Sequence, residues 1–241
     1  MTNRSAAHAL RALCMLSLGG VLLAGTARAA TDCAPAQQAG YERCVSGLPP
    51  ATFARMQQWQ KASNWCWAAS ISMVLRRYGV AVPQEQVVRT HYGSSVNLGV
   101  TAATISELLN RAWRDSTGRS VVTSTAALPA PQRPLGLLAP DVIADLTRGK
   151  PLIIGAQQHA VVLVKVVYER RVDGGEPRLV DGVVLDPASD SGLRSIRRGE
   201  HVPDYVARIE VDAEAALALD DAAPASTLLA QRGDDVGAGW R

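Results

Sequence analysis

A helical first half followed by a strand-rich second half predicts an α+β fold for this 241-residue chain. Three observations carry the prediction. Between residues 64 and 112 apolar residues recur at helical spacing, punctuated by Gly79, Pro83 and Gly93. From residue 151 onward the apolar runs are short, rich in Val and Ile, and bounded by turn residues. Asp173-Gly174-Gly175 between two of those runs reads as a hairpin turn, so the sheet is expected to be antiparallel.

The first 29 residues stand apart. Arg4 and Arg11 form a basic start, and Leu13 to Ala24 is an apolar stretch too short to span a bilayer comfortably. Ala27-Arg28-Ala29 then supplies the small residues of a cleavage site, so residues 1–29 read as a signal peptide. Residues 30–50 read as an extended arm ending in Pro49-Pro50, and residues 51–211 as one domain. Residues 212–241, rich in Ala and Asp, read as a disordered tail.

Within the domain, Ser63 or Asn64 offers an N-cap for a helix running to Tyr78. Trp67, Ala69, Ile71, Met73, Val74 and Leu75 make that helix apolar on most faces, which places it centrally. A second helix is expected from Pro83 to Tyr92-Gly93. A third is expected from Thr101 to Ala112, with Ile105, Leu108 and Leu109 inward. Residues 115–140 are expected to form a long connection with Val121-Val122 as a strand. Asp141 to Arg148 reads as a short helix closed by Gly149. Strands are expected at 151–155, 160–168, 180–185 and 205–211.

Charge and cysteine content narrow the function. The formal charge is +3, and the leader holds three arginines and no acidic residue, so the mature chain is neutral and carries no argument for nucleic-acid binding. Export implies an oxidising compartment, where thiols tend to pair. Cys33, Cys44 and Cys66 remain after the leader, and one must be odd. Cys33 and Cys44 lie close together in a polar arm, which suits a local disulfide and leaves Cys66 as a reactive thiol. Pairing of Cys66, or its burial as a structural residue, is the competing arrangement. No Cys-x-x-Cys or His-x-x-x-His spacing supports a metal, and no Gly-rich phosphate loop occurs, so no cofactor is expected.

Asn64-Trp65-Cys66-Trp67-Ala68-Ala69-Ser70 sets that thiol at a helix start. Unpaired amides and partial positive charge there stabilise an anion, which a sulfur nucleophile needs. His159 opens an apolar run and would project from a strand end toward the helix. Asp186 closes a following run and could fix the imidazole through its second nitrogen. Asp181 and Asp190 are the fallback acids. Gln60, six residues before Cys66, is the candidate side-chain donor to an oxyanion, beside the Cys66 N–H; Gln57 and Gln58 are its neighbours. Trp65 and Trp67 read as packing residues.

Gln60, Cys66-Trp67, His159 and Asp186, in that order, resemble the papain-like cysteine peptidases over roughly residues 56–211. The Asn-Trp-Cys-Trp-Ala-Ala core is the most specific element. The compact spacing, and Asp186-Pro187 in place of an Asn-Ser-Trp motif, resemble the compact bacterial branch, which includes bacteriocin-leader peptidases and secreted virulence proteases. The resemblance implies a helical subdomain carrying Cys66, packed against an antiparallel sheet subdomain carrying His159 and Asp186. It also implies acyl-enzyme chemistry on a peptide or protein substrate. The long interval from His159 to Asp186 departs from that branch, and the Arg171-to-Arg178 hairpin tip accounts for it. The chain before Cys66 is expected to be too short for a long inhibitory propeptide. A periplasmic or secreted monomer, with no nucleic acid and no stable membrane insertion, completes the expectation. Amidases, deamidases and transglutaminases use the same acyl-thioester logic, and a non-catalytic binding module is the competitor from another class.

Overall fold

A computed structural model describes residues 30–128, 136–188 and 190–212. The expected signal peptide and almost all of the expected tail lie outside the described residues. The elements are β1 (Ala30–Pro35), β2 (Tyr41–Gly47), α1 (Pro50–Met56), α2 (Cys66–Arg77), α3 (Gln84–Tyr92), α4 (Ala102–Leu109), β3 (Arg111–Arg114), β4 (Ser120–Leu128), α5 (Pro140–Thr147), β5 (Leu152–Ala156), β6 (His159–Arg171), β7 (Arg178–Asp186), β8 (Gly192–Ser195) and β9 (Tyr205–Asp212). The fold is α+β, with the cysteine-bearing helix α2 packed on an antiparallel sheet.

All nine strands among the described residues belong to one sheet, in the order β1-β2-β6-β5-β9-β4-β3, with β7 on β6 and β8 on β7. β6 is the axis. Its first half pairs with β5 and its second half with β2, while β7 runs along its other edge. Val161 to Val164 are therefore enclosed by strands at the edges and by α2 on one face, and all four are buried. Such a position favours the continuous β-branched run that the sequence supplies there.

α2 is central for the reason its composition predicts. Every residue from Cys66 to Leu75 is buried. The two serines in that span are satisfied, Ser70 Oγ donating to Ala160 O at 3.3 Å and Ser72 Oγ to Val82 O at 2.5 Å. The first of these bonds ties the helix to the strand that begins with His159. No helix among the described residues is long and apolar enough to cross a membrane.

Three expectations need correction. Residues 30–50 are extended but do not form a separate arm: β1 and β2 make a hairpin whose second strand pairs with β6 from Gly47↔Lys165 to Tyr41↔Arg171. The alternation in Tyr41–Gly47 buries Cys44 and Ser46, a signal too short to read without its partner strand. The third helix stops at Leu109, because Asn110 caps it and Arg111–Arg114 enters β3. The connection expected at 115–140 is largely the β3–β4 hairpin, closed by Asp115. Its carboxylate accepts from the Thr117 N–H (2.9 Å), the Thr117 hydroxyl (2.6 Å) and the Arg119 N–H (3.0 Å). Gly118 supplies the positive φ (87°) of this turn, but no Asn-Gly or Asp-Gly pair stands there to mark a hairpin in the Ser/Thr-rich stretch. β8, led by Gly192 and only four residues long, was also not expected.

Cys33 and Cys44 form the disulfide across the β1–β2 pair, and Cys66 is in no disulfide. With a sequence separation of 11, the bridge closes a short loop, worth at most about 3 kcal/mol in the chain-entropy account. The Cys33→Ser/Cys44→Ser variant is expected to melt up to about 10 °C lower by calorimetry. An unchanged melting temperature would show that strand pairing alone holds β1.

Candidate active site

The N-cap of α2 is Trp65, and neither Ser63 nor Asn64 caps it through its side chain. Cys66 is thus the first helical residue, one step nearer the terminus than expected, where the helix dipole acts most directly on a side-chain anion. Asn64 has another task. Its N–H donates to Asn97 Oδ1 (2.9 Å) and its Nδ2 to Asn97 O (2.9 Å), while Asn97 Nδ2 donates to Ser63 Oγ (2.9 Å). The two tryptophans extend the same stitching, Trp65 Nε1 to Val96 O (2.8 Å) and Trp67 Nε1 to Leu98 O (3.1 Å). Both indoles are buried, so they are packing residues that clamp the cysteine loop to residues 96–98.

His159 begins β6 directly after a two-residue turn, Gln157-Gln158, in which both φ angles are positive (52° and 61°). A tight turn with this handedness matches the strand twist and normally uses Asn-Gly. Glutamines there cost about 1 kcal/mol or more each in backbone strain. The turn delivers the imidazole to α2. His159 Nε2 donates to Asp186 Oδ1 at 2.7 Å, and the ring also hydrogen-bonds the Cys66 side chain, leaving Nδ1 as the nitrogen for the sulfur. Cys66, His159 and Asp186 are therefore brought together.

Asp186 ends β7, is 0 % exposed, and is held from several sides. Oδ1 also accepts the Ala188 N–H (2.9 Å), and Oδ2 accepts Arg194 Nε (2.8 Å). Arg194 in turn forks onto Glu200, with Nη1–Oε2 at 2.7 Å and Nη2–Oε1 at 2.6 Å. Sequence reasoning missed both residues. Arg194 faces Asp186 only because the β7–β8 register sets Asp186 opposite Gly192, and Arg194 lies two residues further on the same face. The fallback acids are elsewhere: Asp181 accepts from Gly182 N–H and Ser195 Oγ, and Asp190 from Ser191 Oγ.

Gln60 bridges the two halves through its backbone, its N–H donating to Pro187 O at 2.8 Å. Its side-chain amide donates to Ala62 O (3.0 Å) and Ser63 O (2.8 Å). Both amide hydrogens are thus committed to its own loop, and an oxyanion role requires one of them to turn. Gln57 Nε2 donates to Asp186 O (3.2 Å), so it braces this junction with Gln60, whereas Gln58 Nε2 donates to Ser72 Oγ (2.8 Å) of α2.

The electrostatics favour a charged His159 facing an ionised Asp186. Burial works against a charged His159, but the hydrogen bond to Asp186, then that to Cys66 and the charges of both, raise its pKa to about 10. Burial likewise opposes ionisation of Asp186, yet the bonds from His159 and Ala188, the imidazolium charge and Arg194 hold it well below the usual carboxylate range. For stability, the raised His159 contributes fully below its unfolded value near 6.5 and loses that contribution as pH rises through about 10. The depressed Asp186 contributes above its unfolded value near ~3.9 and loses that contribution as pH falls through its lower folded value. For turnover, kcat/KM is expected to keep its alkaline limb near pH 10 rather than near 6.5. A limb near 6.5 would show that the imidazole is not held by these partners.

Cys66 is 0 % exposed and the His159 side chain 23 % exposed, so the imidazole edge is the open side of the group. For a carbonyl to come within about 3–3.5 Å of the sulfur, the cover over Cys66 would have to move.

No protein-family model matches the chain, and no curated protein matches it. Among solved structures, the chain is similar to UfSP from C. elegans at 15% identity and a TM-score of 0.38, with 65% of this chain and 32% of that chain covered. The chain thus spans about a third of that protein's length. A likeness at this level fixes neither family nor activity.

Proposed function

We propose that this chain is an exported bacterial cysteine peptidase of the papain-like type. It hydrolyses peptide bonds through an acyl-enzyme on Cys66, without a cofactor. The observation that carries the reading is the His159 ring, bonded on one side to Cys66 and on the other to a fully buried carboxylate. A cysteine that merely fills a core needs no imidazole, and a buried carboxylate is costly unless paired.

In the proposed cycle the sulfur attacks the substrate carbonyl, and the Cys66 N–H at the start of α2, with Gln60 once its amide turns, stabilises the oxyanion. His159 gives its proton to the leaving amine, then activates the water that releases the acid, while Asp186 keeps the ring in place. The test is mass spectrometry of products from casein and from purified peptidoglycan. Cleavage adds water across a peptide bond, deamidation raises mass by about 1 Da, and cross-linking loses ammonia. Cys66-dependent cleavage supports the peptidase; deamidation or cross-linking without cleavage reassigns the chemistry to the acyl-transfer relatives.

A further inference from the structure

Asp186 has no rotational freedom in this structure. Oδ1 receives His159 Nε2 and the Ala188 N–H, and Oδ2 lies 2.8 Å from Arg194 Nε and 2.7 Å from Arg194 Nη2. A guanidinium alone in this position would hold the carboxylate still, but its charge would also cancel the negative field that His159 needs. Glu200 changes that balance. Its carboxylate takes both terminal nitrogens of Arg194 and the Arg197 N–H (2.7 Å), and it is only 6% exposed. Burial works against the charge on Glu200, but the bonds from Arg194 and Arg197 keep its pKa lowered and the group ionised. Arg194 and Glu200 therefore carry no net charge together, while the fork geometry is kept.

We propose that Arg194 and Glu200 form a neutral brace that positions Asp186 against His159 without screening its charge. The inference rests on the peptidase reading of the same site, and it adds two positioning residues that touch neither substrate nor sulfur. The charged groups facing Asp186 are His159 from β6, Arg194 from β8, and the Arg197 guanidinium at 3.9 Å. Glu200 reaches it through Arg194 from the 3-10 turn Arg198–Glu200, and Cys66 through His159 from α2. Removing the Glu200 charge leaves an uncompensated cation behind Asp186, which disfavours the imidazolium.

The experiment compares wild type, Glu200→Gln, Glu200→Asp and Arg194→Lys by two pH profiles. One is kcat/KM on a peptide; the other is the titration of the His159 imidazole, followed by NMR. Glu200→Gln is expected to lower the alkaline limb of the first profile and the midpoint of the second by about one pH unit or more, with KM unchanged, and Glu200→Asp to restore both. Arg194→Lys keeps the charge but loses the fork, and is expected to lower kcat about tenfold at constant KM. Superimposable profiles with only a lower melting temperature would make the pair structural and overturn the proposal. Should Glu200→Gln fail to fold, an unchanged kcat in Arg194→Lys overturns it instead. Failure of the peptidase reading looks different: no Cys66-dependent cleavage in wild type, while the His159 titration still reports on the brace.

Discussion

Cys66→Ala is expected to lower peptide hydrolysis by about ten-thousand-fold or more, to the residual level that binding and oxyanion donors alone supply. His159→Ala should fall to a similar level, and the double variant should be no worse than either single one, because the two groups act as a unit. The structural reason is that the imidazole bonds the sulfur directly while its Nε2 is committed to Asp186. Cys66 is fully buried, so its truncation removes one sulfur from a packed position and should cost only about 1 kcal/mol. Circular dichroism and thermal melting check that the fold persists. Hydrolysis that survives in Cys66→Ala would remove the nucleophile from the account.

Asp186 is where the effects on activity and on stability are both large. Asp186→Asn keeps the shape but offers a single acceptor oxygen to His159, Ala188 and Arg194, which between them use both carboxylate oxygens. Loss of the correct imidazole tautomer is expected to lower kcat by up to about ten-thousand-fold. Asp186→Ala breaks a buried ion network from its centre, and a destabilisation of about 3–5 kcal/mol is expected from urea titration. The contrast matters because Asp186 also makes a local turn bond to the Ala188 N–H. If that turn were its whole role, Asp186→Asn would retain activity within about tenfold of wild type.

The legible parts of the chain were those whose signal is local. α2 and α3 announced themselves by apolar spacing and by Gly93, which caps α3 with a positive φ of 73°. β5, β6, β7 and β9 were readable as β-branched runs, and the disulfide followed from counting cysteines. Cys66, His159 and Asp186 were legible as candidates because each sits at the end of such an element. What stayed hidden depends on partners distant in sequence. β2 makes sense only once β6 lies beside it, and Arg194 gains its role only through the register of β8 on β7. Asn64 looked like a helix cap, but its bonds go to Asn97, 33 residues away. Gln60 was identified by position, yet its amide hydrogens face its own loop, a matter of rotamer that no spacing encodes.

The most direct test of the central claim is to trap the covalent intermediate. Substrate peptide and protein are mixed, quenched in acid within the turnover time, digested, and the Cys66 peptide is weighed. The account predicts an added mass equal to the N-terminal, acyl portion of the substrate on Cys66, absent in Cys66→Ala and decaying as product appears. Substrate cleavage with no adduct on Cys66 at any quench time, in a protein that is still turning over, would contradict it.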